Sequence, residues 1–301
     1  MLVARVSMFL AASFMGSVGL FLKYLTDGIG LQVYAAVEFR GIFGIVWVTA
    51  ILLASKRLRV IKDLLRYGRL VFIVTAMGVL TIFFYFMTIN TAGLAIAAFL
   101  LYAGNLVAVI FMRLFLKESM PRATYLAYGL ALAGVLVMEP WGDATLSWGI
   151  FTGILSAIAL GFLNLSKKML FKKNNQVFEG KAMSTTNLSF GLTWYTTLGL
   201  VITFSFSWLV DGSLMVSWNA IVVAIFLGLI PTALAFTLFN YGLTSDTGGN
   251  VLILSYAEPI MASIFQVLVF GGVPVLVLIG GALIIAGNLI ALKAGNSSTE
   301  R

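Results

Sequence analysis

Apolar runs of about twenty residues, separated by short polar patches, repeat along the whole chain of 301 residues. Hydrophobic residues make up 61% of the chain and charged residues only 10%, against about half and a quarter in a globular domain. Because a bilayer core of ~30 Å needs ~20 apolar residues per helix, these runs predict transmembrane helices. The alternating pattern of a membrane β-barrel is absent from the sequence. The chain is therefore predicted to be an all-α integral membrane protein.

We predict ten transmembrane helices from these runs. The turn "NTAG" between the third and fourth, and the turn "TSDTG" between the eighth and ninth, are short enough to form antiparallel hairpins. The predicted spans are Val3–Leu25, Leu31–Ala54, Leu70–Ile89, Gly93–Arg113, Ala123–Met138, Ser147–Lys168, Met183–Val210, Ser217–Leu243, Gly249–Phe270 and Val275–Leu292.

The net charge of +8 is distributed so that it predicts orientation. Seventeen of the nineteen Lys and Arg residues fall in the loops after the second, fourth and sixth predicted spans or near the termini. The two exceptions are Lys23 and Arg40. The positive-inside rule therefore places both termini in the cytoplasm, for a multi-pass protein of the plasma (inner) membrane. The basic excess is explained by topology and anionic lipid headgroups, so the lipid bilayer is an expected partner and nucleic acid is not.

Cysteine and histidine are both missing from the sequence. Disulfide and thiolate chemistry are thus excluded, together with the usual imidazole base and metal ligand. The sequence contains no phosphate-binding glycine loop, metal-ligand cluster or catalytic triad. We therefore expect no cofactor, no metal and no enzymatic activity, and an ATP-driven pump is excluded for this chain alone.

An internal repeat relates the two halves of the chain. Residues Leu100–Leu114 match Leu254–Leu268 at seven of fifteen positions, and Ala127–Gly134 aligns with Gly280–Gly287 in nearly the same register. Shared helix-packing composition is the alternative explanation. If the repeat is real, each half has five spans, and the odd number forces the second half to be inverted in the membrane. The predicted units are residues 1–143, residues 144–293 and a short cytoplasmic tail, 294–301.

Several motifs carry a resemblance to a known family. They include "FMGSVGLFLK", "EFRGIFG", "LKESMPRATYLAYGLALAGVLV", "GLTSDTGGNVLILSYAEPIMASIF" and "GGALIIAG". The chain resembles the drug/metabolite transporter superfamily, and within it the EamA-type permeases. The resemblance implies two inverted five-helix halves around a central cavity that alternates its access, with small metabolites such as amino acids, sugars, nucleotide derivatives or drugs as cargo. Asn105 departs from the proline that the family often has there, which leaves a kink in the first half open.

Glu258 and Pro259 lie in the middle of the apolar run "LSYAEPIMASIF". The carboxylate is about nine residues into its span, or ~13 Å deep at 1.5 Å per residue. A charge there is costly, so Glu258 should face a cavity or a partner. Pro259 cannot donate a backbone N–H, which frees the carbonyl of Ser255. Two interpretations stay open: direct coupling or gating by Glu258, and an architectural role in which it bonds a hydroxyl and locks the kink.

Glu38 and Arg40 are deep in the second span and point to different helix faces. Arg40 has three candidate roles: to pair with Glu258, to anchor a substrate carboxylate, or to hold backbone carbonyls at a helix break. Glu38 is a coupling or gating candidate, although it lies nearer the outer side and could simply reach water there.

The remaining candidates for substrate binding are polar groups inside spans: Tyr85, Tyr102, Asn105, Asn164 and Tyr256. Tyr102 and Tyr256 occupy equivalent repeat positions. Each of these groups has an ordinary alternative role as a hydrogen bond between helices, as do Asn240 and Gln266.

The sequence thus predicts a secondary transporter, with export of amino acids or related amphipathic metabolites as the first hypothesis. Tyrosines, a carboxylate and an arginine match a zwitterion with an apolar side chain. An uptake permease for a sugar or drug, a passive channel, and an intramembrane enzyme that would depend on Glu38 or Glu258 are the alternatives. The expected partners are a small-molecule substrate and lipid, and the expected assembly is a monomer or homodimer.

Overall fold

A computed structural model describes residues 2–117, 123–138, 144–176, 182–205, 217–239 and 254–299. These residues form helices and contain no strand, which confirms the all-α prediction. The helices of the first half are α1 (Leu2–Gly16), α2 (Val18–Lys23), α3 (Val33–Ala54), α4 (Arg59–Leu64), α5 (Gly68–Ala92), α6 (Leu94–Leu116) and α7 (Ala123–Met138). Those of the second half are α8 (Ala144–Gln176), α9 (Thr185–Phe204), α10 (Trp218–Gly228), α11 (Ala257–Phe265) and α12 (Val275–Thr299).

Helical residues are found within each of the ten predicted spans, and six helical segments of the described chain are long and apolar enough to cross a membrane. Large apolar side chains such as Phe72 and Leu268 point outward and are strongly exposed. Such a surface would aggregate in water but suits lipid. The six segments are Val6–Gly28, Val33–Ala54, Arg59–Ala92, Leu94–Leu116, Ser147–Asn174 and Trp218–Phe239.

Several helix boundaries differ from the prediction. The sixth predicted span was expected to end at Lys168, but α8 continues to Gln176, and α12 continues to Thr299 through most of the predicted tail. The break between α5 and α6 is confined to Gly93, whose φ of +90° is accessible mainly to glycine. The TSDTG turn at residues 244–248 lies outside the described residues.

Three of the spans contain wide π-helical turns, one of them Gln266–Phe270 after α11. The first span is interrupted at Ser17 and ends in a π-helical turn, Tyr24–Gly28. After α10 the chain forms a second π-helical turn, Leu229–Leu234, which contains Pro231. Because Pro231 has no N–H, the regular α-helical hydrogen bonding cannot continue through it, and π turns are often found at functional sites.

Helix packing follows a reciprocal pattern through two glycines, Gly16 of α1 and Gly161 of α8. A Cβ atom on Gly16 would lie 2.9 Å from the Cβ of Met261 and 3.2 Å from the nitrogen of Ala262. A Cβ atom on Gly161 would lie 2.9 Å from the Cβ of Val107 and 3.1 Å from the nitrogen of Ala108. In the repeat alignment, Val107 and Ala108 are the counterparts of Met261 and Ala262. Both helices therefore approach their neighbours closely at matching places.

The helices α7 and α12 cross in the same reciprocal manner. A Cβ atom on Gly134 would lie 2.5 Å from the carbonyl oxygen of Gly280, and one on Gly287 would lie 2.6 Å from that of Ala127. The alignment pairs Ala127 with Gly280 and Gly134 with Gly287. Gly134 thus contacts Gly280, the counterpart of Ala127, and Gly287 contacts Ala127, the counterpart of Gly280. Two elements related by a two-fold axis are expected to make such paired contacts.

Candidate functional site

The helix break before α11 brings Tyr102 to the carbonyl that Pro259 leaves without a helical partner. Residues 254–256 form a 3₁₀ turn, and α11 begins at Ala257. The Tyr102 hydroxyl donates a hydrogen bond to the Ser255 carbonyl oxygen at 2.6 Å. Sequence reasoning left this carbonyl without its helical partner, and in the structure α6 of the first half provides a donor for it.

The same hydroxyl lies 3.0 Å from Oε2 of Glu258. Glu258 is only 5% exposed, and Tyr102 is also buried. The rings of Tyr102 and Tyr256 are 5.1 Å apart between centroids, so the two positions that the sequence alignment pairs face each other. The carboxylate therefore lies where α6 meets the broken helix of the second half.

Two amides extend this polar cluster toward α8. Asn105 acts electrostatically on the Tyr256 hydroxyl, and the Asn164 amide donates to the Asn105 oxygen at 3.3 Å. The helix α6 runs unbroken through Asn105, so the first half has no counterpart of the break at Pro259. Four of the predicted binding residues and Glu258 thus form one cluster at the junction of the halves, and we name these five residues the central cluster.

Arg40 is 4% exposed and holds the π turn after α10. Its Nε donates to Oγ1 of Thr232 at 3.0 Å, and its Nη2 donates to the Pro231 carbonyl at 3.2 Å. The guanidinium also lies 5.3 Å from the ring centroid of Phe86 and 5.8 Å from that of Phe236, within cation–π range. Of the three candidate roles, binding of a backbone carbonyl at a helix break is the one with direct contacts.

Arg40 and Glu258 are not in direct contact. No ion pair within 4.0 Å joins them in the described part of the chain, but the two charges and Tyr85 interact electrostatically. The Tyr85 hydroxyl is buried and has no hydrogen-bond partner among the described residues. An unpaired buried hydroxyl is costly in an apolar interior, so Tyr85 is a donor available to a bound polar molecule.

Glu38 is 3% exposed, so the expectation that it could reach water on the outer side is wrong for this conformation. Its helix α3 packs against α9 and α10.

Gln266 has a role that sequence reasoning did not assign. Its side-chain oxygen accepts a hydrogen bond of 2.9 Å from the Ala95 amide in the first turn of α6. The first four amides of a helix have no partner within the helix, so Gln266 connects the end of the ninth span to the start of the fourth. Asn240 lies outside the described residues.

The partners of Arg40 were also missed, namely Pro231, Thr232, Phe86 and Phe236. The available signal was Pro231, a proline inside an apolar run, which marks a break with an unpaired backbone carbonyl. The arrangement as a whole can bind a polar molecule rather than transform one. It offers a carboxylate, a guanidinium, tyrosines and amides, and the described residues contain no group of three His, Cys, Asp or Glu side chains that could hold a metal.

Comparisons with known proteins identify the family to which the whole chain belongs. The chain is 30% identical over 289 residues to an uncharacterized transporter of Archaeoglobus fulgidus, covering 94% of both chains. It is similar to one solved crystal structure with a TM-score of 0.58 and 20% identity, covering 96% of each chain, which shows the likeness of fold. The EamA-like transporter family matches residues 3–139 and 147–292. The resemblance found in the sequence is thereby confirmed, and the chain belongs to the EamA-like transporter family, a family of membrane transporters rather than enzymes.

Proposed function

We propose that this protein is a secondary transporter that exports amino acids or related amphipathic metabolites across the plasma membrane by alternating access. The observation that carries the proposal is a pair of buried side chains of opposite charge, Glu258 and Arg40. The two do not form a direct ion pair, and tyrosines of both halves flank them. A zwitterion has one group for each charge. Tyr85 supplies a further donor that lacks a protein partner in the described chain.

We propose that the two halves, residues 1–143 and 144–293, are inverted repeats. The proposal is supported by the family match in two stretches and by the reciprocal contacts of Gly16 with Gly161 and of α7 with α12. Substrate sites of such transporters lie near the midplane between the repeats. The central cluster, with Arg40 and Tyr85 beside it, is accordingly the proposed substrate site.

The proposed orientation has both termini in the cytoplasm. It rests on the seventeen basic residues that fall on one side of the ten spans. In this orientation the contact between Gln266 and Ala95 lies at the outer end of the site, so the described conformation is closed on that side by a direct hydrogen bond.

Glu258 is the proposed coupling residue. A cavity that alternately wets and dries the carboxylate, or moves it relative to Arg40, changes the protonation of Glu258 during the cycle. With no histidine in the chain, few other side chains can do this near neutral pH. Glu38, which is also buried, is the second candidate for such a role.

Reconstituted protein tests the proposal through uptake of labelled amino acids, sugars and drugs into proteoliposomes. We expect saturable flux of an amino acid, and a Glu258→Gln variant that loses proton-dependent transport but retains substrate exchange. The matched control is Asp63→Asn, the same chemical change at an exposed carboxylate paired with Arg66 at 3.6 Å, which should keep the wild-type pH dependence. Flux that does not saturate would indicate a channel, and unchanged pH dependence in Glu258→Gln would make that residue architectural.

A further inference from the structure

Tyr102 has one hydroxyl proton and two acceptors within reach. The Ser255 carbonyl oxygen is 2.6 Å from the hydroxyl oxygen and Oε2 of Glu258 is 3.0 Å from it. A phenol donates one hydrogen bond and can accept others. At any moment the proton can therefore make a full-strength bond to only one of the two oxygens.

The protonation of Glu258 decides which oxygen receives it. A protonated carboxyl group has its own O–H, which can donate to the Tyr102 oxygen while Tyr102 donates to the Ser255 carbonyl. A carboxylate can only accept, and hydrogen bonds to an ionised acceptor are about twice as strong as neutral ones. The Tyr102 proton therefore turns toward Glu258 when that residue is charged.

We infer that Tyr102 is a positioning residue that transmits the protonation state of Glu258 to the helix break at Ser255. In the protonated state, Tyr102 ties α6 of the first half to the broken helix of the second half through the backbone. When Glu258 is charged, the Tyr102 hydroxyl donates to the Glu258 carboxylate instead, and its hydrogen bond to the Ser255 carbonyl is lost. The inference rests on the proposed coupling role of Glu258 and adds the connection by which its protonation biases the position of one half relative to the other.

The groups around Glu258 favour Tyr102 over any other side chain for this role. Arg40 of α3, Tyr85 of α5 and Tyr256 are the charged or titratable groups that act on the site with Tyr102. The helix α1 meets the Glu258 backbone through Gly16, which has no side chain. Among the hydrogen bonds of the described residues, only Tyr102 joins Glu258 to a backbone carbonyl.

This exchange of hydrogen bonds has no counterpart at the aligned positions of the repeat. The repeat alignment places Gly104 opposite Glu258, and a Cβ atom there would lie 2.6 Å from the carbonyl oxygen of Ala157. A carboxylate has no room at that position. The side chain that acts on the hydroxyl of Tyr256, the counterpart of Tyr102, is Asn105, which does not titrate.

The test compares wild type, Tyr102→Phe, Glu258→Gln and the double variant, each reconstituted as the full chain. Two quantities are measured against pH: substrate flux, and the labelling rate of a single cysteine introduced at Lys62 into this cysteine-free sequence. The labelling rate is divided by that of the unfolded protein at the same pH, because thiolate formation alone raises it. We expect Tyr102→Phe to lose the pH-dependent change in both, whatever flux it has at a fixed pH. The double variant should match Glu258→Gln because both changes remove parts of one unit. Tyr195→Phe is the control, since it removes a hydrogen bond of 2.8 Å to the Ile61 carbonyl with no carboxylate involved.

The outcomes separate the inference from the proposed function. If Tyr102→Phe keeps the wild-type pH dependence while Glu258→Gln loses it, the role of Tyr102 is refuted and coupling by Glu258 stands. If Glu258→Gln keeps the pH dependence, both are refuted. Should Tyr102→Phe fail to fold, the infrared difference spectrum of the wild type between acid and alkaline pH decides. A shift of a tyrosine C–O band that disappears in Glu258→Gln supports the inference, and its absence from the wild type overturns it.

Discussion

Substitution of Gly16 or Gly161 by alanine tests the reciprocal packing of the two halves. The added Cβ would lie 2.9 Å from the Cβ of Met261 in the first variant and 2.9 Å from that of Val107 in the second. Each contact is ~0.5 Å shorter than ordinary van der Waals contact, so the helices must separate, and overpacking of this kind costs about 1–3 kcal/mol. A Cβ atom on Gly161 would also lie 2.6 Å from Cγ1 of Val107, so Gly161→Ala should lose at least as much stability as Gly16→Ala, measured as unfolding temperature in detergent.

The two variants should differ in transport. The Gly16 Cβ would also lie 2.9 Å from the carbonyl oxygen of Glu258, so Gly16→Ala displaces the proposed coupling residue and should reduce flux more than Gly161→Ala does. Gly129→Ala is the control, because a Cβ atom there would meet nothing within 4 Å and alanine favours the helix by up to about 1 kcal/mol. Equal flux in the two crowded variants, or a stability loss in Gly129→Ala as large as theirs, would refute the reasoning.

Further predictions concern the ends of the site and the topology. Arg40→Lys should destabilise the protein by about 1.5–3 kcal/mol, since lysine cannot replace both the bond to Thr232 and the bond to the backbone; thermal unfolding measures the loss, and an unchanged midpoint would contradict it. Gln266→Leu leaves the buried Ala95 amide without its partner, which should lower the free energy of unfolding by about 1–3 kcal/mol. The same change should increase labelling of the site by a reagent added from outside. Unchanged labelling would speak against an outer closure. A cysteine at Lys62 should react with a membrane-impermeant reagent only after the cells are opened, and labelling of intact cells would reverse the assigned orientation.

The positions of the helices could be predicted from the sequence because the bilayer leaves little choice. Backbone groups in lipid must be bonded within the segment, so a long apolar run becomes a helix whatever its neighbours are. The depth of Glu258 and the loss of a hydrogen bond at Pro259 follow from the same local rules. The helix ends were predicted less well: α8 continues past the basic residues to Gln176, because lysine and arginine end an apolar run without ending a helix.

Tyr102 and Tyr256, which the repeat alignment pairs, face each other in the structure, but the alignment alone did not predict that contact. For Arg40, local reasoning left three roles open. Which of them is realised depends on how α3 is rotated against the π turn after α10, and that turn is itself a tertiary feature.

The sequence by itself thus determined that this chain is a helical membrane protein of the EamA-like family, with a carboxylate and a proline deep in its ninth span. Only the tertiary structure decided that the carbonyl freed by Pro259 is bonded by Tyr102 of the other half, and that Gln266 caps α6. The physical reason is range. Hydropathy and backbone hydrogen bonding act within a few residues of one segment, whereas these partners lie 153 and 171 positions apart and meet only after the helices have packed.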